Sequence, residues 1–109
     1  MYKFNPELDL KLELVLDASC EKLFKAWTDA NHIKPWFCPA PWKVTEAEID
    51  LRPGGKFNTT MEGPNGEKFP NNGCLLEIVP NRKLVWTSVM GENFRPMPPG
   101  HVDMTGVLL

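Results

Sequence analysis

Three carboxylates recur at every second residue in one segment of the chain, and such a row can perform acid–base chemistry. Glu46, Glu48 and Asp50 fall on one face of a predicted strand, with about 7 Å between successive side chains. Neighbouring carboxylates can raise one another's pKa, which is how proteins produce a general acid or base. No histidine or serine shares this row, and the opposite face of the strand is apolar. We therefore interpret the row as the solvated face of a half-buried strand.

Cysteine and histidine, the other common metal ligands and nucleophiles, are scattered along the chain. Cys20, Cys38 and Cys74 have spacings that match neither a zinc motif nor a disulfide framework. His32 and His101 are equally dispersed, and no Ser–His–Asp order or phosphate-binding loop is present. We predict buried reduced thiols, no metal, no cofactor and no catalytic residue. A protein without enzymatic activity is favoured over an enzyme.

Aromatic side chains are the remaining group that could form a site, and they make up 10% of the chain. They could line a pocket for a flat apolar ligand, or they could fill the core, which is the commoner role of buried aromatics. Methionines could add adaptable lining, and a histidine at a strand start could provide a polar group at the mouth of the cavity. The candidates for a ligand cavity are Trp27, Trp36, Phe37, Phe57, Met61, Phe69, Trp86, Met90 and His101.

Hydrophobic periodicity predicts the elements that would position these side chains. Alternating leucines predict a half-buried strand over residues 10–16. Ser19 is a suitable N-cap for an amphipathic helix that ends near the first tryptophan. A second short helix is predicted to carry Ile33, Trp36 and Phe37, because these residues repeat the i, i+3, i+4 spacing. Pro35 is expected to make this helix irregular or to end its first turn near Lys34.

The rest of the sequence predicts antiparallel hairpins. A Pro-Gly-Gly corner at residues 53–55 separates two alternating segments, and two glycines there permit positive φ angles. Residues 63–66 contain Asn-Gly, a strong hairpin signal. Strands are predicted at residues 43–51, 55–62, 67–79 with an interruption near 70–73, 83–90 and 101–109, with an open loop at 91–100.

This order of elements predicts an α+β fold. One strand, two helices and then five strands favour an antiparallel sheet over a doubly wound one. The 109 residues are expected to form a single domain, residues 1–109. The last strand ends on two leucines without a following turn, so we expect a domain truncated at its C-terminus, with an exposed edge that favours association.

Seven short stretches of the chain can be compared with a known family: residues 16–19, 25–29, 36–37, 48–57, 61–66, 76–79 and 82–86. Together they resemble the SRPBCC (START-like) superfamily, and within it the family of proteins like the activator of Hsp90 ATPase homologue 1. The resemblance covers nearly the whole chain. It implies a helix-grip (START-like, Bet v 1-like) fold, in which a curved antiparallel sheet wraps a long C-terminal helix and encloses a cavity. The chain ends where that family usually continues, so we expect the long helix to be missing.

Composition narrows the range of partners and locations. The net charge of −2 and the absence of a Lys/Arg cluster argue against nucleic acid. No apolar run approaches the roughly 20 residues that a membrane-spanning helix needs. The N-terminus lacks the apolar region of a secretory signal, so we predict a cytoplasmic location.

Three functions stay open at this point. The family resemblance and the aromatic content favour binding of a small hydrophobic or aromatic molecule, without catalysis, on the concave face of the sheet. The resemblance also implies a chaperone-linked interaction with Hsp90 or a role in stress response. A cyclase- or hydrolase-like enzyme of the same superfamily is the third hypothesis. A homo-oligomer formed through the uncovered sheet is a separate prediction.

Overall fold

Two short helices follow an extended N-terminal segment in the computed structural model, which describes residues 3–98 and 104–109. Helix α1 spans Cys20–Thr28, and the Ser19 hydroxyl caps it by accepting a hydrogen bond from the backbone N–H of Lys22 at 3.2 Å. Helix α2 spans Ala30–Ile33, with Asp29 as its N-cap. Ile33 is fully buried, so it anchors α2 to the sheet.

Antiparallel pairing organises the strands into three sheets. The strand orders of these sheets are β1-β2-β3, β4-β5-β8 and β6-β7. A short 3-10 helix at Glu92–Phe94 lies within the β6–β7 hairpin. The strands are β1 Lys43–Ile49, β2 Phe57–Glu62, β3 Lys68–Asn71, β4 Cys74–Val79, β5 Lys83–Thr87, β6 Met90–Gly91, β7 Arg95–Pro96 and β8 Thr105–Leu108.

Backbone hydrogen bonds join the two larger sheets into one continuous curved sheet. The N–H of Phe57 donates to the carbonyl of Gly73 at 3.0 Å, and the N–H of Gly54 donates to the carbonyl of Leu75 at 2.7 Å. The helices cover one face of this sheet, and the core forms between them. Its fully or almost fully buried members are Ile33, Phe57, Leu75 and Leu84.

The predicted corner at residues 53–55 is confirmed, with one correction. Gly54 has a φ of +80°, the left-handed conformation that favours glycine. Gly55 is required for a different reason, because a Cβ there would overlap the backbone carbonyl oxygen of Asp50. The predicted Asn-Gly hairpin is also confirmed, and Gly66 has a φ of +83° in the turn between β2 and β3.

The predicted strand at residues 10–16 is wrong. The segment has no regular secondary structure, and the side chains of Leu10, Leu12 and Leu14 are 97%, 77% and 68% exposed. No backbone hydrogen bond joins it to any other part of the described chain. A strand exists only when a neighbour pairs with its backbone groups, so the alternation of apolar and polar side chains did not by itself produce a strand at residues 10–16.

Several predicted boundaries also need correction. Helix α2 ends at Ile33, close to the end near Lys34 that Pro35 allowed. Trp36 and Phe37 follow in a turn, because Pro35 has no backbone N–H with which to continue the helical hydrogen bonds. The segment predicted as one strand over 83–90 divides into β5 and the start of β6. The predicted loop at 91–100 contains the β6–β7 hairpin. The last strand begins only at Thr105 among the described residues.

Candidate functional site

Helix α1 and the turn after α2 bring two tryptophans together above the sheet. Trp27 lies in the last turn of α1, where the Thr28 hydroxyl donates to the carbonyl of Phe24 at 2.7 Å. The indole Nε1 of Trp36 donates to the carbonyl of Ala26 at 3.2 Å. This hydrogen bond ties the turn to the helix and fixes the position of the Trp36 ring.

Five aromatic rings form one contiguous group, which we call the aromatic cluster: Trp27, Trp36, Phe37, Phe57 and Trp86. The ring centroid of Trp27 lies 4.8 Å from that of Trp36 and 5.1 Å from that of Trp86. Phe57 in β2 connects the sheet to the turn, with centroid distances of 5.7 Å to Trp86 and 6.4 Å to Phe37. Four of the six ring pairs are T-shaped, an arrangement that aromatic quadrupoles favour, and the other two are tilted.

Burial within the aromatic cluster decreases from the sheet outward. Phe57 is only 5% exposed, whereas Trp27, Phe37 and Trp86 are half-buried. Trp36 is 42% exposed and forms the open side of the cluster. The cluster is therefore both a part of the core and an accessible apolar surface.

The other sequence candidates lie outside the aromatic cluster. Met61 and Phe69 face each other across β2 and β3, and Met61 shares a sheet face with Phe57 because the two are four residues apart on one strand. Met90 lies in the β6–β7 hairpin and is half-buried. His101 lies outside the described residues.

One residue of the site escaped the sequence analysis. Gly106 in β8 pairs with Trp86 in β5, and a Cβ at position 106 would overlap the indole atom Cζ2. The indole ring therefore lies directly on the backbone of β8. A glycine opposite a tryptophan is the only sequence signal for this contact, and it becomes readable only once the strand register is known.

The carboxylate row lies on the solvated face of β1, as predicted. Glu46, Glu48 and Asp50 are exposed, and the amine of Lys56 binds the Glu48 carboxylate at 3.2 Å. An open groove of about 320 Å³ lies beside this row, lined by Glu48, Ile49, Asp50, Lys56 and Glu92. The hydrogen bond that Lys56 donates to Glu48, followed by the negative charges of Glu48 and Glu92, raises the pKa of Lys56 above its usual value.

Arg52 further neutralises the acidic side chains beside this groove. Its Nε donates to the Asp50 carboxylate at 2.7 Å, and its Nη2 lies 3.6 Å from the Glu92 carboxylate. Within residues 3–98 and 104–109, no group of three or more His, Cys, Asp or Glu side chains could hold a metal ion. The groove is thus a surface of mutually paired charges.

The cysteines differ in burial more than the sequence analysis predicted. Cys74 is fully buried, as expected of a structural thiol, but Cys20 is exposed and Cys38 is half-buried. The prediction of a buried thiol is therefore wrong for Cys20, which lies at the N-terminal end of α1 rather than on its covered side. All three thiols are free.

No helix in the described ranges is long and apolar enough to cross a membrane.

Comparison with solved structures identifies several similar chains. A Nitrosomonas europaea protein is 41% identical with a TM-score of 0.89, and the match covers 95% of this chain and 66% of that one. A Chromobacterium violaceum protein is 28% identical with a TM-score of 0.64, covering 68% of this chain and 54% of that one.

A Rhodobacter sphaeroides protein has the same fold, with 23% identity, a TM-score of 0.65 and coverage of 68% of this chain and 49% of that one. The chain thus spans between about half and just under two thirds of the length of these solved structures. They support the α+β helix-grip fold with two short helices and a curved antiparallel sheet.

Comparison with curated proteins gives no significant match. A family model described as "Activator of Hsp90 ATPase homolog 1-like protein" matches residues 17–105. This range covers most of the chain and includes α1, α2 and strands β1 to β7. The chain therefore belongs to the activator of Hsp90 ATPase homolog 1-like family.

Proposed function

We propose that the protein binds a small hydrophobic or aromatic molecule, without catalysis, on the concave face of its sheet. The observation that carries this proposal is the position of Trp36. This residue is 42% exposed at the open side of the aromatic cluster, and the only polar atom of its side chain, Nε1, already donates to the carbonyl of Ala26. An incoming apolar molecule would therefore contact its ring without breaking a hydrogen bond to water.

The concave face continues from the aromatic cluster towards β3. Met61 is half-buried and Phe69 is 43% exposed, and the two pair across neighbouring strands. A flat ligand that contacts Trp36 and extends along this face would cover apolar surface that is now partly exposed to water. Burial of such surface stabilises a complex by about 25 cal/mol per Å².

The chemistry of the lining indicates a neutral ligand. The five rings of the aromatic cluster carry no formal charge, and the paired charges at Glu48 and Lys56 lie on the solvated face of β1. Concave sites of this composition usually bind through apolar contact, with few polar groups for orientation. We therefore expect neutral polycyclic or acyl compounds to bind more tightly than their charged derivatives.

Titration with 1-aminoanthracene, a neutral flat fluorophore, tests the proposal directly. We expect saturable binding with quenching of tryptophan fluorescence, and Trp36→Ala should weaken the affinity about tenfold, since one well-packed aromatic contact contributes on the order of 1.4 kcal/mol. Phe4→Ala is the matched control, because Phe4 is 44% exposed and lies outside the aromatic cluster. Equal affinity of the wild type and the Trp36 variant, or no saturable binding, would contradict the proposal.

A chaperone-linked role is the second candidate, and it is supported by the family description alone. Its test is the ATPase rate of purified Hsp90 with and without this protein, together with co-sedimentation of the two. An unchanged ATPase rate and no co-sedimentation would exclude this role and would leave the ligand-binding proposal untouched. Either role would be carried out in the cytoplasm, and this location stays a prediction.

A further inference from the structure

The hydroxyl of Thr59 is buried in the sheet without a hydrogen-bond partner among the described residues. Thr59 lies in β2, two residues after Phe57 and two before Met61, so the three side chains share the concave face. The residue is only 3% exposed. Within residues 3–98 and 104–109, its side chain neither donates nor accepts a hydrogen bond. A polar group thus lies in the otherwise apolar row that continues from the aromatic cluster.

This hydroxyl is nevertheless open to a small group from outside. In the part of the chain that the structure describes, no buried side-chain oxygen or nitrogen is both sealed from solvent and without a partner. The small exposed part of Thr59 must therefore include its hydroxyl oxygen. Buried hydroxyls are usually hydrogen-bonded, because the loss of hydration is unfavourable when nothing replaces it. Since Thr59 is already buried, it lacks one hydrogen-bond partner rather than a further covering segment of protein.

A second polar side chain lies beside this hydroxyl. Thr59 pairs with Ala47 in β1 and with Asn71 in β3. Residues opposite each other on antiparallel strands share a face, with Cβ atoms about 4.5–5.5 Å apart. Asn71 is half-buried, and its amide, which carries both donors and an acceptor, forms no hydrogen bond within the described ranges. We call Thr59 and Asn71 the polar pair.

The surroundings of the polar pair on its own strands are apolar and uncharged. Phe57 and Met61 flank Thr59 along β2, each about 7 Å away. The charged residues of β2 and β3, Glu62 and Lys68, lie opposite each other on the other face of the sheet. The polar pair therefore offers hydrogen bonds without a charge, at a fixed distance from the ring of Phe57 in the aromatic cluster.

We propose that the polar pair recognises a hydroxyl group of the ligand, so that the bound molecule is a hydroxylated aromatic compound. This inference rests on the proposed function and specifies its ligand. A hydroxyl donates and accepts at once, which matches the hydroxyl of Thr59 and the amide of Asn71. The aromatic part of the ligand would then lie towards Phe57 and the rest of the aromatic cluster. A charged group would be unfavourable here, because no opposite charge on this face compensates the loss of its hydration.

Equilibrium dialysis against 2-naphthol and 2-methylnaphthalene tests the proposal. The two probes have similar size and shape, and they differ in a hydroxyl or a methyl group at one position. Thr59→Val removes the protein hydroxyl and keeps the shape of the side chain. We expect it to weaken the binding of 2-naphthol about tenfold, the effect of one net hydrogen bond, and that of 2-methylnaphthalene less than about twofold.

Two further variants control for changes in shape and stability. Thr59→Ser keeps the hydroxyl and should keep the wild-type ratio of the two affinities. Thr60→Val makes the same chemical change at the next residue of β2, whose side chain lies on the opposite face, and it should change neither affinity. In urea denaturation, Thr59→Val should be at least as stable as the wild type, because it removes a hydroxyl that has no protein partner.

The outcomes separate this inference from the proposed function. If Thr59→Val weakened both probes equally or neither of them, the inference would be overturned and the proposed function would stand. Binding of 1-aminoanthracene without binding of 2-naphthol would have the same meaning. A clear loss of stability in Thr59→Val would also overturn the inference, because it would show that the hydroxyl already has a partner in the protein. Failure of the wild type to bind any of the three compounds would contradict the proposed function itself.

Discussion

The indole ring of Trp86 lies against the backbone of Gly106, its partner across β5 and β8, so closely that a Cβ at position 106 would overlap Cζ2. The same ring contacts Trp27 and Phe57 on its other sides. Gly106 therefore determines how deeply Trp86 can sit on the sheet. Through Trp86 it also determines where the aromatic cluster meets the sheet.

Gly106→Ala should lower the free energy of unfolding by about 1–3 kcal/mol, because the added methyl group displaces the Trp86 ring. Urea denaturation of both proteins measures this difference. In a Trp86→Phe background the smaller ring leaves room for the methyl group, so the penalty should be reduced. An equal penalty in both backgrounds would show that the Trp86 contact is not its cause.

Gly54→Ala should destabilise the protein more than Gly66→Ala does. Both glycines have φ near +80°, so each alanine incurs a similar backbone cost of about 1 kcal/mol. A Cβ at position 54 would also lie 2.8 Å from Cε2 of Phe94, whereas the space around position 66 is open. Phe94 is 48% exposed and can move aside, so we expect an additional cost of only about 1 kcal/mol.

Phe94→Ala provides the control for this comparison. Without the ring, the two glycine substitutions should have equal effects on the free energy of unfolding. A difference that persists without Phe94 would point to another contact of the corner, such as the hydrogen bond from the N–H of Asn93 to the carbonyl of Gly54 at 2.7 Å.

Ile33→Ala should lower the free energy of unfolding by about 2–5 kcal/mol, because it opens a cavity beneath the aromatic cluster. Ile33 is fully buried and is the only buried residue of α2. Ile33→Val removes one methyl group and should cost about 0.5–1.5 kcal/mol. If alanine proved as mild as valine in urea denaturation, α2 would not be anchored to the sheet through this side chain.

Asp29→Ala should lower the melting temperature by about 4 °C, because it removes the N-cap of α2. The carboxylate of Asp29 accepts hydrogen bonds from the N–H of Asn31 at 2.8 Å and from that of His32 at 3.2 Å. Asp29→Asn retains an acceptor for these bonds and should lower the melting temperature less. Equal losses in the two variants would exclude capping as the reason.

The same residue predicts a dependence of stability on pH. The hydrogen bond from the His32 side chain, followed by that from the N–H of Asn31, lowers the pKa of Asp29 below its usual 3.8. The native state therefore holds the proton less tightly than the unfolded state does. The stabilisation is fully present above pH 3.8 and is lost as the pH falls through the lowered native pKa. Asp29→Asn should reduce this loss when melting temperatures are compared across the acid range.

Local signals predicted α1 and the central hairpins correctly because short-range interactions determine them. Ser19 caps α1 through its own hydroxyl, and Gly54 and Gly66 adopt the positive φ angles of their turns. The same reasoning failed at residues 10–16, where alternation indicated a strand. A cap or a turn is completed by residues a few positions away, whereas a strand needs a partner that the local sequence does not supply.

The sequence by itself determined the family, the α+β class, the positions of the turns and the aromatic residues available for a site. Only the tertiary structure decided which aromatics meet. It joined Trp27, Trp36, Phe37, Phe57 and Trp86 and left Met61, Phe69 and Met90 outside. It also revealed Gly106 beneath Trp86. Such contacts depend on strand register and on how the helices lie over the sheet, and both are properties of residues far apart in the chain.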